Sequence, residues 1–116
     1  MRLESQIRDG VCVLRLAGRF VTGSDVAFLS AKNCLQKAGI VKAVVDLSGV
    51  PYIDSTGLAF VVELHKALQS RGGQLMLANP NARVREVLEM TRIGEIVPLF
   101  DDAENAEAAL RGEVLC

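Results

Sequence analysis

The stretch Tyr52-Ile53-Asp54-Ser55-Thr56-Gly57 joins an apolar strand to an apolar helix, and its reading decides the fold. Immediately upstream, Val41-Lys42-Ala43-Val44-Val45-Asp46-Leu47 is almost unbroken in β-branched and small apolar residues, the composition of a strand buried on both faces. Downstream, residues 58–71 are rich in helix formers and run into Gly72-Gly73, a pair suited to the left-handed position after a helix. Asp54, Ser55 and Thr56 therefore fall at a helix N-terminus, where side-chain oxygens accept bonds from unpaired amides and the helix dipole favours negative charge. A hydroxyl at such a point can carry a phosphate. Capping alone accounts for the same three residue types, so local chemistry leaves both roles open.

Working outward, residues 2–8 read as a first strand, and Asp9-Gly10 supplies the turn to a stronger one at residues 11–17. There Cys12, Leu14 and Leu16 alternate with Val11, Val13 and Arg15, and Arg15 marks the wetter side. Thr22 and Asp25 resemble a capping box for a helix to Ala38, with Ala27, Ala31, Cys34 and Leu35 at helical spacing and Gly39 closing the end. Gln74 to Ala78 forms another strand. Asn79-Pro80 offers a cap and a first-turn proline for a helix to about Thr91, with Val84, Val87 and Leu88 as its seam. Residues 95–100 read as a last strand, and Asp101-Asp102 open an alanine-rich helix to Leu110. Alternating strands and helices imply an α/β fold of about five strands and about four helices. The sheet is mostly parallel, with an antiparallel N-terminal edge strand.

At 116 residues, half of them hydrophobic, residues 1–116 suit one compact domain that buries about two thirds of its unfolded surface. Thirteen basic and fourteen acidic residues are scattered without a long run of either sign. This excludes the basic stripe that nucleic acid demands, and the absence of Trp with few aromatics argues against base stacking. Met1-Arg2-Leu3-Glu4-Ser5 is charged almost at once, and no apolar run long enough for a secretion signal or membrane span follows. A cytoplasmic location without direct membrane association is the expectation. Cys12, Cys34 and Cys116 lack the close pairing of zinc or redox motifs, so Cys12 and Cys34 read as core residues and Cys116 as a terminal thiol.

An enzyme is the rival class. Ser55 and His65 suggest a nucleophile and base, yet ten residues along one helix separate them by about 15 Å. His65 is the only histidine and reads as the edge of a buried stripe. Gly72-Gly73 precedes a strand instead of opening a helix, which fails as a phosphate cradle. Asp25, Asp46 and Asp54 match no hard-cation loop, and Asp46 reads as a strand-end residue bonding the turn that follows. Neither a catalytic residue, a metal site nor a cofactor emerges from these patterns.

The run from Val44 to Leu58, Val-Val-Asp-Leu-Ser-Gly-Val-Pro-Tyr-Ile-Asp-Ser-Thr-Gly-Leu, resembles the signature of the STAS family, named for sulfate transporters and anti-sigma factor antagonists. The resemblance extends over the chain. Gly18-Arg19-Phe20, Gly72-Gly73-Gln74-Leu75 and Ile93-Gly94 sit where the family has further fixed points, in the right order. It implies a regulatory binding module of the anti-sigma factor antagonist type, with no enzymatic activity. In small members the serine after the aspartate, matched by Ser55, is phosphorylated by an anti-sigma factor that is also a serine kinase. A PP2C-type phosphatase removes the phosphate. The unmodified form binds the kinase and frees the sigma factor, so Asp54, Ser55, Thr56, Gly57, Val21 and Thr22 are the implied partner surface. One departure stands out: many phosphorylated members carry an acidic residue near the serine where this chain has Val21 and Thr22. That leaves a second reading, a scaffold or complex subunit that uses the fold without the switch.

Overall fold

A computed structural model of the chain describes residues 2–8, 10–18, 25–40 and 42–110. Strands β1 (Arg2–Arg8) and β2 (Val11–Ala17) form an antiparallel hairpin. Then follow α1 (Asp25–Ala38), β3 (Lys42–Gly49), α2 (Ser55–Gln69), β4 (Gln74–Ala78), α3 (Ala82–Met90), β5 (Leu99–Phe100) and α4 (Ala103–Leu110). The sheet order is β1-β2-β3-β4-β5, with every pair after the first parallel.

Chain order and sheet order coincide, so each right-handed crossover delivers its helix to the same face. Leu35 of α1, Leu58, Val61, Leu64 and Leu68 of α2, and Val84 and Leu88 of α3 share one core with Cys12, Leu14, Leu16, Val45, Leu47, Leu75 and Leu77. The opposite face is covered by α4, whose Ala106 and Leu110 pack on Val11, Val13, Val44, Met76 and Ala78. This explains why β3 lacks alternation: Ala43 to Leu47 are all buried, one set under the three helices and the other under α4. Arg15 lies on the α4 face at its open end, with a half-exposed side chain. Strand order never reverses among the parallel strands, so the sheet lacks the switch-point crevice in which doubly wound folds bind ligands.

Two expectations change. Residues 95–100 are not one strand: Ile93–Glu95 form a 3₁₀ turn and only Leu99–Phe100 pair with β4. Ile93 and Val97 are both buried from a tight turn, in which the Val97 amide donates to the Ile93 carbonyl at 2.8 Å. Their four-residue spacing is that of a helical turn, which an apolar tally cannot tell from a short strand. Asn79 and Pro80 do not open α3 either. Asn79 takes a left-handed φ of 57°, and Asn81 is the cap, accepting from the Val84 amide at 2.7 Å. Helix α2 begins at Ser55, with Asp54, Ser55 and Thr56 at its N-terminus as expected, and ends at Gln69 with Gly72 at φ 80°. The Thr22–Asp25 capping box and Cys116 fall outside the described residues, as do the side chains of Ala27, Ala31 and Cys34. Gly39 does close α1, at φ 70°.

Candidate functional site

The end of β3 is held from two sides. Asp46 is buried, and its Oδ1 accepts from the Ser48 amide at 2.9 Å and from Asn79 Nδ2 at 3.2 Å, while Arg15 Nε lies 3.6 Å from Oδ2. A buried carboxylate needs such partners, and here they brace the turn that leaves the strand. Across the sheet the Gly18 amide donates to the Gly49 carbonyl at 2.8 Å. A Cβ on Gly49 would lie 2.7 Å from the Leu16 carbonyl oxygen, so only glycine allows β2 and β3 to close at this end.

From there the chain alternates anchors and exposed residues. Val50 and Ile53 are buried in the helix-side core, while Pro51 and Tyr52 face outward. Asn81 ties the loop to α3, its Nδ2 donating to the Val50 carbonyl at 3.2 Å and reaching the Pro51 carbonyl at 3.4 Å. The Arg83 guanidinium lies over the Tyr52 ring, 5.4 Å from its centroid. A loop pinned by two apolar plugs and a neighbouring helix presents the following residues in a fixed pose.

Those residues start α2. Asp54 is the N-cap, in extended conformation, with Oδ1 accepting from the Gly57 amide at 3.0 Å and its carbonyl from the Leu58 amide at 3.0 Å. Ser55 is the first helical residue and is exposed. Thr56 is half-buried, and Gly57 and Leu58 are buried. The structure thus brings Asp54, Ser55, Thr56 and Gly57 into one turn, of which Ser55 is the exposed member. Val21 and Thr22 lie outside the described residues. His65 is buried farther along α2, with Nδ1 lacking a hydrogen-bond partner, and no cluster of metal-ligating side chains occurs among the described residues. No described helix is long and apolar enough to cross a membrane.

What this geometry offers is an alcohol-bearing residue at the positive end of a fifteen-residue helix, on an exposed and capped turn. The STAS domain family model matches residues 2–106. The chain belongs to the STAS family. Among its relatives, the anti-sigma F factor antagonist of Paenibacillus polymyxa is 25% identical over 107 residues, which span 91% of this chain and 92% of that protein. The anti-sigma-B factor antagonist of Listeria monocytogenes is 34% identical over 99 residues, or 80% of this chain and 82% of that one. The anti-sigma factor antagonist SpoIIAA, solved in unphosphorylated form, superposes with a TM-score of 0.83 at 19% identity, over 98% of this chain and all of that one. Its phosphorylated form, from Bacillus, superposes at 0.70 over 97% of this chain.

Sequence reading missed Asn81, Arg83 and two of the partners of Asp46, Arg15 and Asn79, while the bond to Ser48 in the following turn was expected. Arg15 and Asp46 sit opposite each other in the β2–β3 register. Strand pairing would have revealed them, but periodicity within one strand does not.

Proposed function

We propose that this STAS chain is an anti-sigma factor antagonist: a single-domain, cytoplasmic binding protein over residues 1–116, not an enzyme, switched by phosphorylation of Ser55. The unmodified protein captures an anti-sigma factor that is also a serine kinase, which frees the sigma factor. The kinase phosphorylates Ser55, and a PP2C-type phosphatase restores the binding form. Asp54, Ser55, Thr56 and Gly57, together with Val21 and Thr22, make the docking surface. The observation that carries this reading is the exposed Ser55 hydroxyl at the first position of α2, beside a carboxylate already engaged as the cap.

The physics of the switch follows from that placement. A phosphate adds about −1.5 to −2 charges where the helix dipole and free amides tolerate an anion, so the bearer keeps its fold. The same charge beside Asp54, pressed against a partner, meets like-charge repulsion and loses its hydration. A loss of about 2.7 kcal/mol already weakens binding about a hundredfold.

The test is mass spectrometry after incubation with ATP and an anti-sigma factor serine kinase, taken from the neighbouring genes where one is encoded there. Phosphate on Ser55, absent from a Ser55→Ala variant, supports the switch. An unmodified chain under all conditions leaves the scaffold reading, which the Val21 and Thr22 departure favours.

A further inference from the structure

The two edges of the sheet are unequal. Edge β5 is two residues long, whereas β1 pairs with β2 without a bulge over seven residues, contains no proline, and has no strand on its outer side among the described residues. A long, regular edge is a template for another strand, and native edges are usually blunted. The side chains of β1 fall into two rows. Leu3, Ser5 and Ile7 lie opposite Leu16, Leu14 and Cys12 on the three-helix face, and Glu4, Gln6 and Arg8 lie opposite Arg15, Val13 and Val11 on the α4 face. Ile7 is 53% exposed, at the mouth of an apolar slot between β1 and α1 floored by Leu14 and Leu35.

We propose that the β1 edge docks a second copy of this chain, antiparallel and in the register that pairs Gln6 with Gln6 across a two-fold axis. A two-fold axis perpendicular to the sheet keeps like faces together, so only alternate registers are open. Centring on Glu4 opposes two carboxylates, and centring on Ser5 sets each Glu4 against Gln6, without an ion pair. Centring on Gln6 sets Glu4 against Arg8 twice, opposes the two Gln6 amides, and lays each Ile7 opposite the other copy's Ser5, beside the apolar slot.

The neighbouring charges continue the pattern. Asp46 and Arg15 lie 3.6 Å apart, Arg15 is the β2 partner of Glu4, and Arg8 lies 3.8 Å from the buried Glu107 while keeping a side chain 53% exposed. Joined in this register, the α4 face reads Asp46, Arg15, Glu4, then Arg8 and Glu107 of the second copy, alternating in sign throughout. The ten-stranded sheet leaves the α2 start free, because α1 lies between β1 and α2.

Directly opposed strand residues bring Cα atoms within disulfide reach, so cysteine placed at the axis reports the register. Under mild oxidation the full-length Gln6→Cys protein is expected to crosslink into a dimer well above the parent chain, and Ser5→Cys is not. In sedimentation equilibrium, Glu4→Arg and Arg8→Glu should each raise the dimer dissociation constant about tenfold, and the double reversal should return it toward the parent value. Because the double variant also loses the Arg8–Glu107 ion pair and sets an arginine opposite Arg15, its recovery separates docking from folding damage. Preferential crosslinking through Ser5→Cys overturns the register. A parent chain that stays monomeric to millimolar concentration, with no added crosslink from Gln6→Cys, overturns the dimer.

Discussion

The starts of α2 and α3 are built alike and differ in what they expose. Each has a side-chain cap accepting from the amide three residues on, Asp54 from Gly57 at 3.0 Å and Asn81 from Val84 at 2.7 Å. At the next position α2 carries the exposed hydroxyl of Ser55, and α3 carries the methyl of Ala82. At the third, α2 has buried Gly57 and α3 has the fully buried Val84. Asn81 also spends its amide on the loop that leads to Ser55, whereas Asp54 spends its carboxylate on the Gly57 amide of its own helix. Capping is thus common to both starts. One of them supports, and the other is supported and exposes a hydroxyl-bearing residue.

Placing the same charge on both starts separates position from net charge, and it carries the largest expected effect. Ser55→Asp is expected to weaken capture of the anti-sigma factor about a hundredfold in calorimetry with an unchanged melting temperature. Ala82→Asp should leave affinity within about twofold. Equal losses from the two would mean that any added charge on this surface suffices, and the comparison would fail.

Packing comes next. Gly57→Val introduces a branched side chain at a buried point of the first turn, and urea unfolding should record a loss of about 1–3 kcal/mol. Wild-type stability there would show that α2 tolerates at Gly57 what α3 holds at Val84. Asn81→Ala removes a cap and the loop's tether together, so a loss of about 1–2 kcal/mol is expected, with a fall in partner affinity although the substitution lies on α3. Unaltered affinity would show that Val50 and Ile53 alone hold the loop. The smallest effect belongs to Asp54→Asn, which keeps an acceptor for the Gly57 amide and drops the charge; denaturation should register about half a kcal/mol.

Much of this was legible in the chain. The β-branched run at residues 41–47, the periodic helices and the Asp-Ser-Thr-Gly junction announce an α/β sheet with a capped helix start, because burial on two faces and helical period leave direct traces in residue order. The strand-end role of Asp46 was readable in the same way, since its Ser48 bond is local. The 3₁₀ turn at Ile93–Glu95 and the cap at Asn81 were not. In both places two neighbouring residues could serve equally, Asn79 or Asn81 as cap, strand or turn for Ile93 and Val97, and packing chose between them.

By itself the sequence determined which residues form the switch candidate: a hydroxyl behind an aspartate, at the head of an apolar helix, is a matter of neighbours along the chain. Only the tertiary structure decided that Ser55 is exposed, that α3 braces its loop through Asn81, and that β1 is the long open edge among the described residues. Exposure and edge status depend on which distant segments pack alongside, and no residue's identity carries that information until the sheet is assembled.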